Sequence, residues 1–147
     1  MQLNLTTDYA IRCILYLADK KGPVPAKEIC EYAEVGKPYG YRVLHLLKEV
    51  GIVGMKMGAN GGFTLLKPID KVSLLEIMRA TEDTVKINKC LEEESHKADT
   101  EERRTRIPEF FMNLQEYLED ILRNIYVSDM ADGQDIKVIL RRIRKTK

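Results

Sequence analysis

The chain has 147 residues, 44% of them hydrophobic and 32% charged, enough for one compact domain or a small domain with an appendage. No apolar run approaches the roughly 18 to 20 residues that cross a bilayer, and the opening MQLNLTTDYAIRCILYLADK lacks the basic segment and small-residue cleavage site of a signal peptide. The net charge of +1 hides basic ends around an acidic middle, which allows a polyanion partner: residues 1–67 carry nine basic and six acidic side chains, residues 68–133 nine and sixteen, and residues 134–147 six and one.

Three cysteines, at 13, 30 and 90, form no CxxC pair, and the first two lie on apolar helical faces. This argues against a secreted disulfide framework and for a reducing cytoplasm. The first predicted helix covers 7–20, with Ala10, Ile14, Leu17 and Ala18 inward, Ile11 and Leu15 widening the stripe, and Thr7 as its cap. KKGPVP breaks the chain. A short helix over 26–34 follows, with Ile29, Cys30 and Ala33 inward. The third helix begins at Pro38 and runs to about Val50, with Val43, Leu44, Leu47 and Val50 inward and Gly51 as its left-handed stop. Two apolar stretches then flank GANGG, where Asn60-Gly61 accepts the positive φ of a hairpin turn. Ser73 and Glu76 form a capping box that opens a helix to about Ala80. Residues 86–106 hold six acids and six bases and few apolar anchors. A long helix from Pro108 to about Val127 carries Phe110, Leu114, Leu118, Ile121 and Ile125 at steps of 4, 4, 3 and 4, widened by Phe111, Tyr117 and Leu122. QDIKVILRRIRK closes the chain as a short basic amphipathic helix.

The order helix, helix, turn, helix, hairpin is that of a winged helix–turn–helix, so the expected fold is mainly α with a small β-hairpin and a long C-terminal helix. The third helix of such a unit fits a major groove about 12 Å wide, with the wing beside it. Candidate DNA contacts are Lys37, Tyr39, Tyr41, Arg42, His45 and Lys48 on that helix, and Lys56 and Asn60 on the wing. Arg42 suits guanine or phosphate, and Lys37 and Lys48 suit phosphates. The alternative is a winged-helix module that binds a protein and not DNA. An enzyme is not expected: there is no Ser/His/Asp or Cys/His pairing in register, no phosphate-binding loop and no HExxH.

LTTDYAIRCILYLA, KPYGYRVLHLLKEVGIV and GANGGFTL, followed by VSLLEIMRATED, Cys90 and the helix over 108–127, resemble the Rrf-two family of bacterial winged-helix regulators, which includes the IscR and NsrR types. The resemblance covers nearly the whole chain. It implies a cytoplasmic homodimer on palindromic operator DNA, with residues 1–82 as the DNA-binding domain, 83–107 as a sensor-type loop and 108–147 as the dimerisation region. It places Phe110, Leu114, Leu118, Ile121 and Ile125 in the dimer interface. Two positions depart from the family's pattern. Met57 stands where the wing usually has an arginine, and Gly40 where an apolar residue usually follows the tyrosine, at roughly 1 kcal/mol of helix propensity against alanine.

Cluster-binding members carry three cysteines in the sensor loop, spaced about six residues apart. Here the three positions hold Cys90, His96 and Glu102, and Asp8 matches an acidic position near the N-terminus that serves as a fourth ligand. All four are capable ligands for iron or harder metals. A conventional three-cysteine iron–sulfur cluster is not expected. The alternatives are a noncanonical cluster or metal at Cys90, or no cofactor and a response to an effector protein, a small-molecule signal or thiol oxidation at Cys90, where Lys89 would favour the thiolate.

Overall fold

A computed structural model describes residues 4–92 and 106–145. The helices are α1 (Leu5–Ala18), α2 (Ala26–Tyr32), α3 (Lys37–Glu49), α4 (Leu74–Thr81), α5 (Ile107–Arg123), α6 (Val127–Ala131) and α7 (Ile136–Lys145), and β1 (Val53–Lys56) pairs with β2 (Gly62–Leu65). The mainly α winged-helix expectation holds. One apolar core joins Ala10, Cys13, Ile14 and Leu17 of α1 to Ile29 and Cys30 of α2, Val43, Leu44 and Leu47 of α3, and Val53 and Phe63 of the hairpin.

Several local expectations change. Helix α1 begins at Leu5 and not at 7, because Asn4 caps it: its side-chain oxygen accepts from the Thr6 N–H at 2.8 Å. Thr7, read as the cap, is buried inside the helix, where its hydroxyl meets Thr81 and Glu82. Ala18 is exposed, and Cys13 takes its place in the core. Val50 also faces outward, because α3 ends at Glu49. Gly51 stops that helix at φ 71° as expected, and the Ile52 N–H returns to the Leu47 carbonyl at 3.0 Å.

The hairpin is antiparallel, pairing Val53 with Leu65 and Met55 with Phe63. Its tip differs in mechanism from the expected one. Asn60 and Gly61 have ordinary φ, whereas Gly58 takes φ 109° and its carbonyl receives the Gly61 N–H at 2.9 Å. The break over KKGPVP has a second role: Val24 exchanges both backbone hydrogen bonds with Phe63, at 2.9 and 2.8 Å, and so ties the wing to the α1–α2 connection. At α4, Ser73 accepts from the Glu76 N–H at 3.2 Å, but Glu76 pairs with Lys67 instead of completing the capping box.

The largest difference lies after α5. The expected helix to Val127 stops at Arg123, and the chain runs extended through Ile125 and Tyr126. There Tyr126 bridges Ser73: the Leu74 N–H donates to the Ile125 carbonyl at 2.8 Å, and the Val127 N–H donates to the Val72 carbonyl at 3.0 Å. Val127 enters the main core, and Ile125 packs with Ile139 and Ile143 of α7. The new short helix α6 places Asp129, 3% exposed, against Arg142, at 2.6 and 2.8 Å from the two guanidinium nitrogens.

Hydrogen bonding from Arg142 holds the Asp129 carboxyl below its usual range. A depressed folded-state value gives stability that is present above the unfolded value of about 3.9 and lost as pH falls through the folded one. Asp129→Asn is expected to cost about 2 kcal/mol at pH 7, with the gap to the parent closing below about pH 4. Urea unfolding of both proteins at pH 7 and pH 3 checks this; an equal gap at both pH values would contradict it.

Candidate nucleic-acid interface

Helix α3 buries Gly40, Val43, Leu44 and Leu47, so its other side is fixed outward. Lys37, Tyr41, His45 and Lys48 recur at steps of 4, 4 and 3 and form one exposed stripe, with Arg42 beside it. From Lys37 to Lys48 the stripe is about 17 Å long at 1.5 Å per residue, close to the reach of one groove face. Lys37, Arg42, Lys48 and the wing's Lys56 make no ion pair among the described residues; the one acid on α3 is Glu49, in its last turn. By contrast Arg12 on α1 is held by Asp8 at 2.9 Å and Glu34 at 3.5 Å.

The wing stands next to this stripe. Tyr41, Met55 and Lys56 of β1, and Met57 and Gly58 of the tip line an open cleft of about 420 Å³. The His45 ring meets Phe63 edge-on at 6.0 Å, so it steadies the base of the wing while remaining exposed. Asn60 is exposed at the tip, and Met57 is 79% exposed. Tyr39 differs from the other aromatic side chain of this face. Its hydroxyl is bonded to Thr6 and its ring packs edge-on against Tyr9 at 5.9 Å, so it turns back onto α1.

Gly40 has a packing reason. A Cβ at this position would lie 2.3 Å from the Cys30 sulfur and 3.0 Å from a methyl of Val35. The missing side chain lets α3 approach α2, which offsets the helix-propensity cost. Cys30 and Cys13 are 1% and 0% exposed. Burial raises the pKa of both thiols, that of Cys13 to about 12, so both stay protonated and inert.

On the sensor side, Cys90 is half-buried in a single 3-10 turn, Lys89–Leu91, and its N–H is capped by Asn88 at 3.0 Å. His96 and Glu102 lie outside the described residues. Asp8 is ion-paired with Arg12 and half exposed. Among the described residues no three His, Cys, Asp or Glu side chains converge as metal ligands. Two of the chain's three thiols are core residues, so the donor set does not fit a three-thiolate cluster.

Sequence reasoning missed Gln115, a polar side chain 5% exposed on an amphipathic helix. Its oxygen accepts from the Ile87 N–H at 2.9 Å, and its amide donates to the Val85 carbonyl at 3.1 Å and to Glu119 at 2.9 Å. Glu119 also binds Arg79 at 2.6 Å and Lys86 at 3.7 Å. Together they dock the segment leading to Cys90 on α5. A glutamine inside an apolar stripe was the available signal. The far side of α5 leaves Phe110, Leu114 and Tyr117 exposed and Leu118 and Ile121 half-buried, whereas Ile125 is packed inside its own protomer.

The family profile described as Rrf2, iron-dependent transcriptional regulator, matches residues 3–133. The HTH-type transcriptional regulator NsrR of Shouchella clausii (strain KSM-K16) is 30% identical over 98 residues, 65% of this chain and 66% of that protein. The HTH-type transcriptional regulator IscR of Erwinia tasmaniensis is 27% identical over 144 residues, 97% of this chain and 86% of that protein. CymR (YrzC), the global cysteine regulator of B. subtilis, shares the fold, with a TM-score of 0.68 at 20% identity over 92% of this chain and 99% of that chain. No helix among the described residues is long and apolar enough to cross a membrane.

The Gly40–Cys30 contact yields a double-mutant prediction. Gly40→Ala is expected to destabilise by about 1–3 kcal/mol through overpacking, despite alanine's better propensity. In a Cys30→Ala background the same change costs clearly less. Thermal unfolding of the four proteins measures the coupling, and strictly additive effects would refute the contact.

Proposed function

Because the chain belongs to the Rrf2 (Rrf-two) family of transcriptional regulators, we propose that it is a homodimer that binds palindromic double-stranded operator DNA. Each protomer presents α3 to a major groove and the hairpin to the flanking backbone or minor groove. In this reading residues 1–82 form the DNA-binding part, 83–107 the sensing segment and 108–147 the dimerisation region. The protein works in the cytoplasm as a binder, with no catalytic role. The observation that carries the reading is the cationic stripe of Lys37, Arg42 and Lys48 beside Lys56 of the wing, none of them ion-paired among the described residues. Tyr41, His45 and Asn60 complete the contact surface. With Met57 at the wing, the half-site differs from that of relatives with an arginine there.

The apolar face of α5, with Phe110, Leu114 and Tyr117 exposed and Leu118 and Ile121 half-buried, supports self-association, since such a face is costly to leave in water. Ile125 contributes from within the protomer by bracing the end of α5. The regulator acts without a conventional three-cysteine cluster, because Cys13 and Cys30 belong to the core. Cys90 remains as the one accessible thiol for oxidation or for an effector to reach.

Fluorescence anisotropy with the gene's own upstream DNA tests the first part. Affinity is expected to fall with salt at a slope of several phosphates. Arg42→Ala loses roughly tenfold or more, and Leu114→Asp weakens binding by producing monomers in sedimentation velocity. No binding by the parent even at low salt moves the reading to a protein-interaction module. For the cofactor, protein purified anaerobically from iron-replete cells is expected to be colourless and iron-free. A brown sample that bleaches on Cys90→Ala would overturn the cluster-free reading.

A further inference from the structure

Three elements meet at the N-terminal end of α1 through side-chain hydrogen bonds. From the end of α4, Glu82 accepts from the Asn4 N–H at 3.2 Å and from the Thr7 hydroxyl. Thr81, on the last turn of α4, lies 2.7 Å from the Thr7 hydroxyl oxygen. Each hydroxyl has a single proton. Thr7 donates its proton to Glu82, and Thr81 shares its own between the Thr7 oxygen and the Ile77 carbonyl at 2.9 Å. Thr6 and Thr7 are 8% and 2% exposed; the Thr7–Thr81 contact is buried and the Thr7–Glu82 bond part-buried, while the Asn4–Glu82 bond lies at the surface. One residue from Thr7, the Thr6 hydroxyl bonds the Tyr39 hydroxyl on the first turn of α3. Asn4 fixes the Thr6 backbone from below, through its cap at 2.8 Å.

Glu82 is the last residue of the winged unit before the segment that leads to Cys90. Arg79, one turn earlier on α4, reaches Glu119 of α5. The same end of α4 thus touches the dimerisation helix, the start of the sensing segment and α1. Beside the Thr6–Tyr39 bond opens a cavity of about 690 Å³, lined by Thr6, Thr7, Asp8, Leu74 and Met130. Tyr39 itself lines this cavity, so one side of the Thr6–Tyr39 bond faces open space and not the packed core.

We infer that Tyr39 is a positioning residue: the chain Glu82–Thr7/Asn4–Thr6–Tyr39 sets the pose in which α3 presents Arg42 and Lys37, and couples that pose to the end of α4. The inference rests on the DNA-binding reading above. Tyr39 makes no base or phosphate contact of its own. Displacement of Glu82 by a change in the segment after it releases Asn4 and Thr7, loosens Thr6 and frees the first turn of α3.

The test combines DNA affinity with amide hydrogen exchange on the full-length protein. Tyr39→Phe and Glu82→Ala each weaken operator binding roughly three- to tenfold with the salt slope unchanged. The double variant is no weaker than either single one, and Arg42→Ala combined with Glu82→Ala loses less than the sum of the two, because the network acts through the pose of Arg42. Glu82→Gln, which keeps an acceptor oxygen, binds like the parent. In the free protein, Glu82→Ala speeds exchange of the amides of residues 41–43 while leaving those of α2 unchanged. Additive losses from Tyr39→Phe and Glu82→Ala would make Tyr39 a direct contact and overturn the inference. Unchanged exchange in Glu82→Ala overturns it as well. Exchange needs no DNA, so a parent protein that fails to bind DNA sinks the earlier reading while the coupling itself is still measured.

Discussion

The Ser73–Tyr126 bridge decides how the two ends of this molecule are related. Two backbone hydrogen bonds, at 2.8 and 3.0 Å, hold the α5–α6 junction against the start of α4. They break the helix that the apolar period would otherwise continue, and turn Val127 into the main core and Ile125 towards α7. Arg142 braces the same corner by donating to the Asn124 carbonyl at 2.9 Å and to Asp129. In the proposed dimer on a palindrome the two α3 helices would sit about 34 Å apart, one turn of DNA. With α5 as the dimer element, that distance would follow from the angle at which α5 leaves the winged unit. The bridge fixes that angle within the protomer, as a fixed half-site spacing would require.

The winged helix was legible because its signals are local and agree with one another. Periodic apolar positions placed α1 to α3, and Gly51 and the glycine-rich tip placed the turns. Failures occurred where a tertiary contact outweighed the local signal. Asn4 captured the cap from Thr7 because Thr7 had partners across the fold in Thr81 and Glu82. The helix through Ile125 was a sound reading of period, yet Tyr126 gained strand pairing with Ser73, which has no trace in the spacing. Gly40 read as a weak helix residue, since the Cys30 sulfur that requires it comes from another element.

The site divides in the same way. Exposure of Lys37, Tyr41, Arg42, His45 and Lys48 follows from the buried face of α3 alone, so sequence found them together. Tyr39 shares their neighbourhood in the sequence but is turned back by Thr6 and Tyr9, a distinction that no periodicity carries. Gln115 was hidden for a different reason: it interrupts the apolar stripe of α5, but its partners Val85 and Ile87, which it clamps, come from a distant part of the chain.

Charge counting misleads at one end and understates the other. The C-terminal segment is the most basic of the chain, but Arg142 serves Asp129 and Asn124 within the protomer, and α7 is held by Ile139 and Ile143. The winged unit has a smaller excess of charge, and there the placement matters more than the sum. Arg12 and Arg42 both lie on helices of that unit. Arg12 is bracketed by Asp8 and Glu34, whereas Arg42 has no acidic partner among the described residues. Exposed ion pairs contribute roughly 0–1 kcal/mol, so folding stability accounts for neither choice. A polyanion does distinguish them. A cation already paired must give up its partner to meet a phosphate, while one left free gains the contact and releases a counterion. The cations on α3 and the wing have no ion-pair partner among the described residues, so they are free to meet phosphates in the proposed complex, and their placement supports that proposal better than the net charge of the chain.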